Sequence, residues 1–241
     1  MIKRSIIGKL LLCSALIMSF TSCIINDVIN DTSIRIDAGT DPNFKIVVNT
    51  DAGFEHFNRK IIVFEIPIYA FSNVEDDKLI HTANILAQYL DNNEDDIVDN
   101  LTVHTQLKTN NTFLFLWKTE RDAFIAPSGS NSLNISADSI NLIWHTNGHT
   151  GDFDYSLETA WNLLVKNGFE ISYPTIFSDQ ANSEISIAMD AARGENFLNP
   201  PATYPVAAWF SNTDVSCNYM CQIGKYNFWV MSSMLGLKKI V

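Results

Sequence analysis

The stretch that most restricts this fold is residues 87–100, "AQYLDNNEDDIVDN". Taking an unpaired carboxylate out of water is prohibitively costly. Asp91, Glu94, Asp95, Asp96 and Asp99 fall within nine residues, so the segment has to be a surface loop. The run ahead of it, "DDKLIHTANILAQYL", carries Leu79, Ala83, Leu86 and Leu90 at helical spacing, and "NLTVHTQL" behind it reads as a short second helix. The chain therefore needs a helix, an acidic turn and another helix in succession.

The order of oxygens within the turn points to calcium. A short loop that surrounds Ca²⁺ offers a hard oxygen at alternate positions. Asp91 takes position 1, Asn93 position 3, Asp95 position 5, the backbone carbonyl of Ile97 position 7 and Asp99 position 9. Val98 supplies the apolar residue that packs inward. Asp96 replaces the usual turn glycine at position 6, and Thr102 stands where a bidentate Glu is usual; both changes weaken binding. Outside the cell, modules that bind at about 10⁻⁴ to 10⁻³ M still fill. The competing reading is a solvated acidic loop in which Asp99 or Asn100 caps the next helix.

An extracytoplasmic address follows from residues 1–23, "MIKRSIIGKLLLCSALIMSFTSC". A basic start, an apolar run too short to span a bilayer, and small polar residues before a cysteine make an export signal of the lipoprotein kind, with Phe20 where Leu is usual. Residues 1–22 are then the signal peptide and Cys23 the lipidated residue. Residues 23–43 form a flexible tether, and 44–241 one globular domain. Acyl chains would hold it on a membrane of the bacterial envelope, the outer membrane, facing the periplasm or the surface.

Processing removes three cations and no carboxylate, leaving 13 cations against 27 carboxylates and moving the formal charge from -11 to -14. Such a surface repels phosphate backbones, so nucleic acid is excluded as a partner. Cys13 leaves with the signal and Cys23 carries lipid. Cys217 and Cys221 of "CNYMC" then remain to form a disulfide in an oxidising compartment.

Elsewhere, "FKIVVNT", "RKIIVFEIPIYAF", "TFLFLW" and "SINLIWH" read as strands, with Pro67 at an edge or strand end. "PSGSNSLNISAD" reads as a loop. Three later stretches read as helices. "YSLETAWNLLVKNGF" stops at Asn167-Gly168, "SEISIAMDAARG" stops at Gly194, and "CQIGKYNFWVMSSMLG" stops at Gly236. The order predicts a single α+β domain, a small sheet packed by several helices.

The stretches "VFEIPIYAFSNVEDDKLIHTANILAQYLDNNEDDIVDN", "SLETAWNLLVKNGFEISYPTIF", "AMDAARGENF", "YPVAAWF" and "CNYMCQIGKYNFWVMSSMLG" resemble a family of uncharacterised exported bacterial proteins. Its members carry a "YLDNDEDG"-type loop and an "EEVLHL...GY" helix. The resemblance spans about residues 60–236. That helix looks like a degenerate zincin helix, in which two His one turn apart hold zinc and a Glu acts as general base. Here Glu158, Thr159 and Asn162 occupy the matching places, and Thr159 and Asn162 do neither job, so zinc hydrolysis at this helix is not expected.

"WHTNGHTGDFD" offers another possible metal set, His145 and His149 with Glu158 downstream, although Asn147, Gly148 and Gly151 argue for a loop. His81, among apolar helical neighbours, reads as a satisfied core residue. No GxSxG elbow and no phosphate-cradling glycine loop occurs. The leading expectation is a membrane-anchored, calcium-binding lipoprotein with a binding or structural role toward an unidentified protein or glycan. The alternatives are a zincin-like hydrolase and a glycan-binding module that displays Trp such as Trp144 and Trp209.

Overall fold

In the computed structural model, residues 44–234 are described. The expected signal peptide, Cys23, the tether up to residue 43 and Gly236 lie outside them. The described residues build an α+β domain around one five-stranded sheet in the order β1-β2-β3-β4-β5. The strands are β1 (Val47–Val48), β2 (Arg59–Val63), β3 (Ile66–Ala70), β4 (Phe113–Trp117) and β5 (Ser132–Ser136). β1, β2 and β3 pair antiparallel, whereas β3, β4 and β5 pair parallel.

The run "RKIIVFEIPIYAF" is a hairpin, not one strand. Phe64 and Glu65 take φ of 44° and 67°, the left-handed pair that a two-residue turn needs. His104 donates from Nε2 to the Phe64 carbonyl at 2.6 Å and pins that turn. Pro67 pairs with Ile62 but precedes the first residue bonded to β4, so its missing N–H costs the parallel ladder nothing.

Parallel neighbours need a crossover. Between β3 and β4 it is α1 (Asp76–Leu90) and α2 (Leu101–Thr109), and between β4 and β5 it includes α3 (Glu120–Ile125). α1 buries Leu79, Ala83, Leu86 and Leu90 as its spacing predicts. β4 is buried on both faces, hence its unbroken apolar sequence. Ile68, Leu114 and Leu116 lie on the face packed by α1 and by α4 (Tyr155–Leu164). Tyr69, Phe113 and Phe115 lie on the other, under Phe54 and Phe57 of the loop before β2.

Two expectations change places. "SINLIWH" starts on the last residue of a 3-10 turn, Ala137–Ser139, and runs on into further turns, while β5 comes from "SLNIS" inside the predicted loop. Leu133 and Ile135 alternate with polar residues there, and β5 pairs with β4 from Ser132 to Ser136. Polar composition hid a period of two.

Gly168 corrects a third expectation, since it ends no helix. α4 continues through a π turn, Val165–Phe169, into Glu170–Ser172. A Cβ on Gly168 would lie 2.6 Å from Val103 Cγ1, so glycine is required by the close approach of α2.

The C-terminal half adds α5 (Pro174–Phe177), α6 (Glu184–Arg193) and α7 (Tyr219–Met234). α6 does end on left-handed Gly194, φ 83°. Arg193 is fully buried and bonds to Asp190, to Gln222 on α7 and to the Phe197 carbonyl. Cys217 and Cys221 form a disulfide at the start of α7, with Cα atoms 5.2 Å apart. Among the described residues no helix is long and apolar enough to cross a membrane.

Candidate functional site

The acidic loop is ordered by its own backbone. Asp91 caps α1: its N–H donates to the Ala87 carbonyl at 2.9 Å, and its carboxylate is buried, 5% exposed. That carboxylate accepts the Asp95 N–H at 3.2 Å through Oδ1 and the Asp96 N–H at 2.9 Å through Oδ2. Asn93 Oδ1 faces the same Asp95 amide at 3.2 Å, and Asn93 Nδ2 donates to Asp95 Oδ2 at 3.1 Å. Asp95 Oδ1 accepts the Ile97 N–H at 3.0 Å.

Asp91, Asn93 and Asp95 are thus brought together around one amide. Asp99 is not with them: its Oδ2 accepts the Asn92 N–H at 2.8 Å and its own N–H donates to the Leu90 carbonyl at 2.8 Å, which ties the ends of the loop. Glu94 and Asp96 hold φ of 59° and 66°. Asp96 therefore adopts the left-handed turn that position 6 of a calcium loop requires. The helix cap falls to Asn100, whose side chain accepts the Val103 N–H at 3.0 Å. The inner donor set is two carboxylates and an amide oxygen, all hard oxygens, and it fits calcium chemistry better than zinc chemistry.

The histidine loop is organised differently. The imidazole of His145 stacks on His81 with centroids 5.9 Å apart, and His149, φ 59°, lies against Trp144 at 4.6 Å. His81 Nε2 shares a 2.7 Å hydrogen bond with Asp154 Oδ2. Asp154 is buried and also caps α4, its Oδ1 accepting from the Ser156 N–H at 3.1 Å and the Ser156 hydroxyl at 2.6 Å. Glu158 points to α7, where Lys225 Nζ donates to it at 2.6 Å. His145, His149 and Glu158 therefore engage three different neighbours. Among the described residues no three His, Cys, Asp or Glu side chains are grouped to hold a metal ion, in this loop or in the acidic one.

A cleft escaped the sequence reading. Glu158 and Asn162 of α4, Glu170 and Asp179 beyond it, and Lys225 and Cys221 of α7 line a cavity of about 360 Å³. Burial, then the neighbouring Asp179 carboxylate, push the Glu170 carboxyl up to about 7, against the opposing pull of Lys166. These groups come from segments far apart in the chain, and no local spacing announces them. Of the tryptophans, Trp144 is buried against Phe153, whereas Trp209 is 59% exposed beside Trp229 at 5.4 Å.

Compared with protein-family models, with curated proteins and with solved structures, the chain matches none.

Proposed function

We propose that this protein is a lipid-anchored domain of the bacterial envelope, held at Cys23, that binds calcium through the Asp91–Asp99 loop and serves a non-catalytic binding or structural role. The observation that carries the reading is the Asp91 carboxylate, sunk at the end of α1 and fixed by two loop amides beside Asn93 and Asp95. Oxygens held in place before an ion arrives lower the ordering cost of binding. A bound ion would offset the mutual repulsion of five carboxylates and clamp α1 to α2, a structural effect with no switching implied.

Its family would be the exported bacterial proteins that the sequence resembles. At α4, Glu158 is engaged by Lys225, and Thr159 returns its hydroxyl to the Tyr155 carbonyl at 2.9 Å, so neither is disposed as a zincin ligand or base.

Calcium titration of the purified full chain, followed by calorimetry and by melting temperature, tests the reading. Saturable binding that Asp91→Ala abolishes is the expected result, and a melting curve indifferent to calcium and EDTA would overturn it. Labelling with a radioactive fatty acid, lost in Cys23→Ala, checks the anchor separately.

A further inference from the structure

The disulfide at the start of α7 has two unlike halves. Cys217 is buried, 1% exposed, whereas Cys221 is exposed and lines the cleft of about 360 Å³ between α4 and α7. An incoming thiolate can reach one sulfur of the pair and not the other, so the direction of exchange is set.

The chain also prepares the buried sulfur to leave. Asn218 accepts the Cys221 N–H at 3.1 Å through its side chain and the Gln222 N–H at 2.9 Å through its carbonyl, which makes it the N-cap of α7. Cys217 stands one residue ahead of that cap, at the positive end of a helix of 16 residues. A thiolate there is stabilised, and a stabilised thiolate is the better leaving group. As a staple the bond contributes little. Its cysteines are 4 apart in sequence, so the loop it closes removes little entropy from the unfolded chain. α7 is held without it, by Gln222 to Arg193, by Lys225 to Glu158 at 2.6 Å and by Asn227 to Trp161 at 3.1 Å.

The cleft selects the thiol. The carboxyl groups of Glu158, Glu170 and Asp179 and the ammonium groups of Lys166 and Lys225 line it with Cys221. Lys225 is committed to Glu158. The remaining two carboxyls outweigh Lys166 once Glu170 ionises above about pH 7. An anionic thiol is repelled there, whereas one that carries an ammonium group on a short methylene stem is drawn in.

We propose that Cys221 is a covalent docking site for aminothiols, which enter by exchange with the Cys217–Cys221 disulfide. The ligand thiolate attacks Cys221 Sγ and forms a new S–S bond to it. The bond between the two cysteines breaks, and its electron pair leaves with Cys217 as thiolate. One disulfide is lost and one is made, so no oxidant or reductant is consumed. Return of Cys217 to Cys221 expels the ligand. The site needs neither calcium nor the lipid anchor, and its failure would leave both of those readings standing.

Exchange on the full chain in EDTA at pH 8, with cysteamine as probe and mercaptoacetate as its anionic counterpart, tests it. After acid quenching and blocking of free thiols, tandem mass spectrometry of the tryptic peptide 194–225 assigns each sulfur. Cysteamine should appear on Cys221, with Cys217 blocked as a free thiol. Per thiolate it should react about tenfold faster than mercaptoacetate. Glu170→Gln should shrink that preference severalfold.

An adduct on Cys217, no adduct on the folded protein, rates that are equal or reversed between the two probes, or a preference untouched by Glu170→Gln would each overturn the proposal. So would loss of the melting transition on adduct formation, which would mean that the bridge holds the fold.

Discussion

Two loops of this domain are rich in metal-ligand residue types, and each leans on one buried aspartate. Asp91 sits at the end of α1 and Asp154 at the start of α4, 5% and 1% exposed. Asp91 spends its carboxylate on amides of its own loop, which curls Asn93 and Asp95 around it. Asp154 spends its carboxylate on Ser156 and His81, while His145 and His149 turn to ring neighbours. Spacing of ligand residues in a sequence is therefore only half of a site. The other half is whether the anchoring side chain gathers the loop or is consumed elsewhere.

Asp154→Ala should have the largest effect. It strips the cap from α4 and leaves His81 without its partner, for a loss of about 3 kcal/mol in denaturant unfolding, the same with and without calcium. Calcium sensitivity of that loss would break the contrast between the loops. Asp91→Ala should cost about 1–2 kcal/mol in EDTA, from two loop amides losing a charged acceptor, and should also erase the calcium response of the parent. At a free concentration ten times the Kd, that response is worth about 1.4 kcal/mol.

Glu170→Gln probes the cleft to which Glu158, the third member of the supposed zinc set, has been diverted. A carboxyl raised to about 7 in the folded state binds more protons than the unfolded chain between the two pKa values. Its contribution is full in acid and fades as pH rises through about 7. The variant should therefore melt like the parent near pH 4 and above it near pH 8. Because the group is half-buried, screening limits the gain to about 1 kcal/mol.

Asp96→Gly relieves a left-handed residue and should add about 0.5–1 kcal/mol while tightening calcium binding. The double change His145→Ala with His149→Ala should move stability by about 0.5 kcal/mol or less and leave zinc titrations unchanged. Loss of a stoichiometric zinc signal in that variant would reverse the ranking of the two loops.

Legibility in the sequence followed the range of the determining contacts. α1 and α2 were readable because their apolar periods are local, β4 because its unbroken apolar run is, and the cap on Gly194 because a helix end is a local event. β5 was not, since Ser132, Asn134 and Ser136 look like loop until β4 supplies a partner. Gly168 was misread as a stop because what demands it, Val103, lies on another helix. At the candidate sites, Asp91, Asn93 and Asp95 were legible as a set. The displacement of Asp99, the capture of Glu158 by Lys225 and the clustering of Glu170 with Asp179 are products of tertiary packing.

The π turn at Val165–Phe169 winds one residue more than an α turn would. Deleting a single residue there would let the rod close to ordinary winding without a break and leave the segment downstream nearly in phase with Tyr155–Leu164, because the wider turn spends one residue more on about the same full rotation. The same deletion in the plain α stretch upstream would turn everything after it by about 100° and swing Glu170 out of the cleft. The widened turn is thus a place where the rod absorbs a change of length without losing the alignment of its two ends.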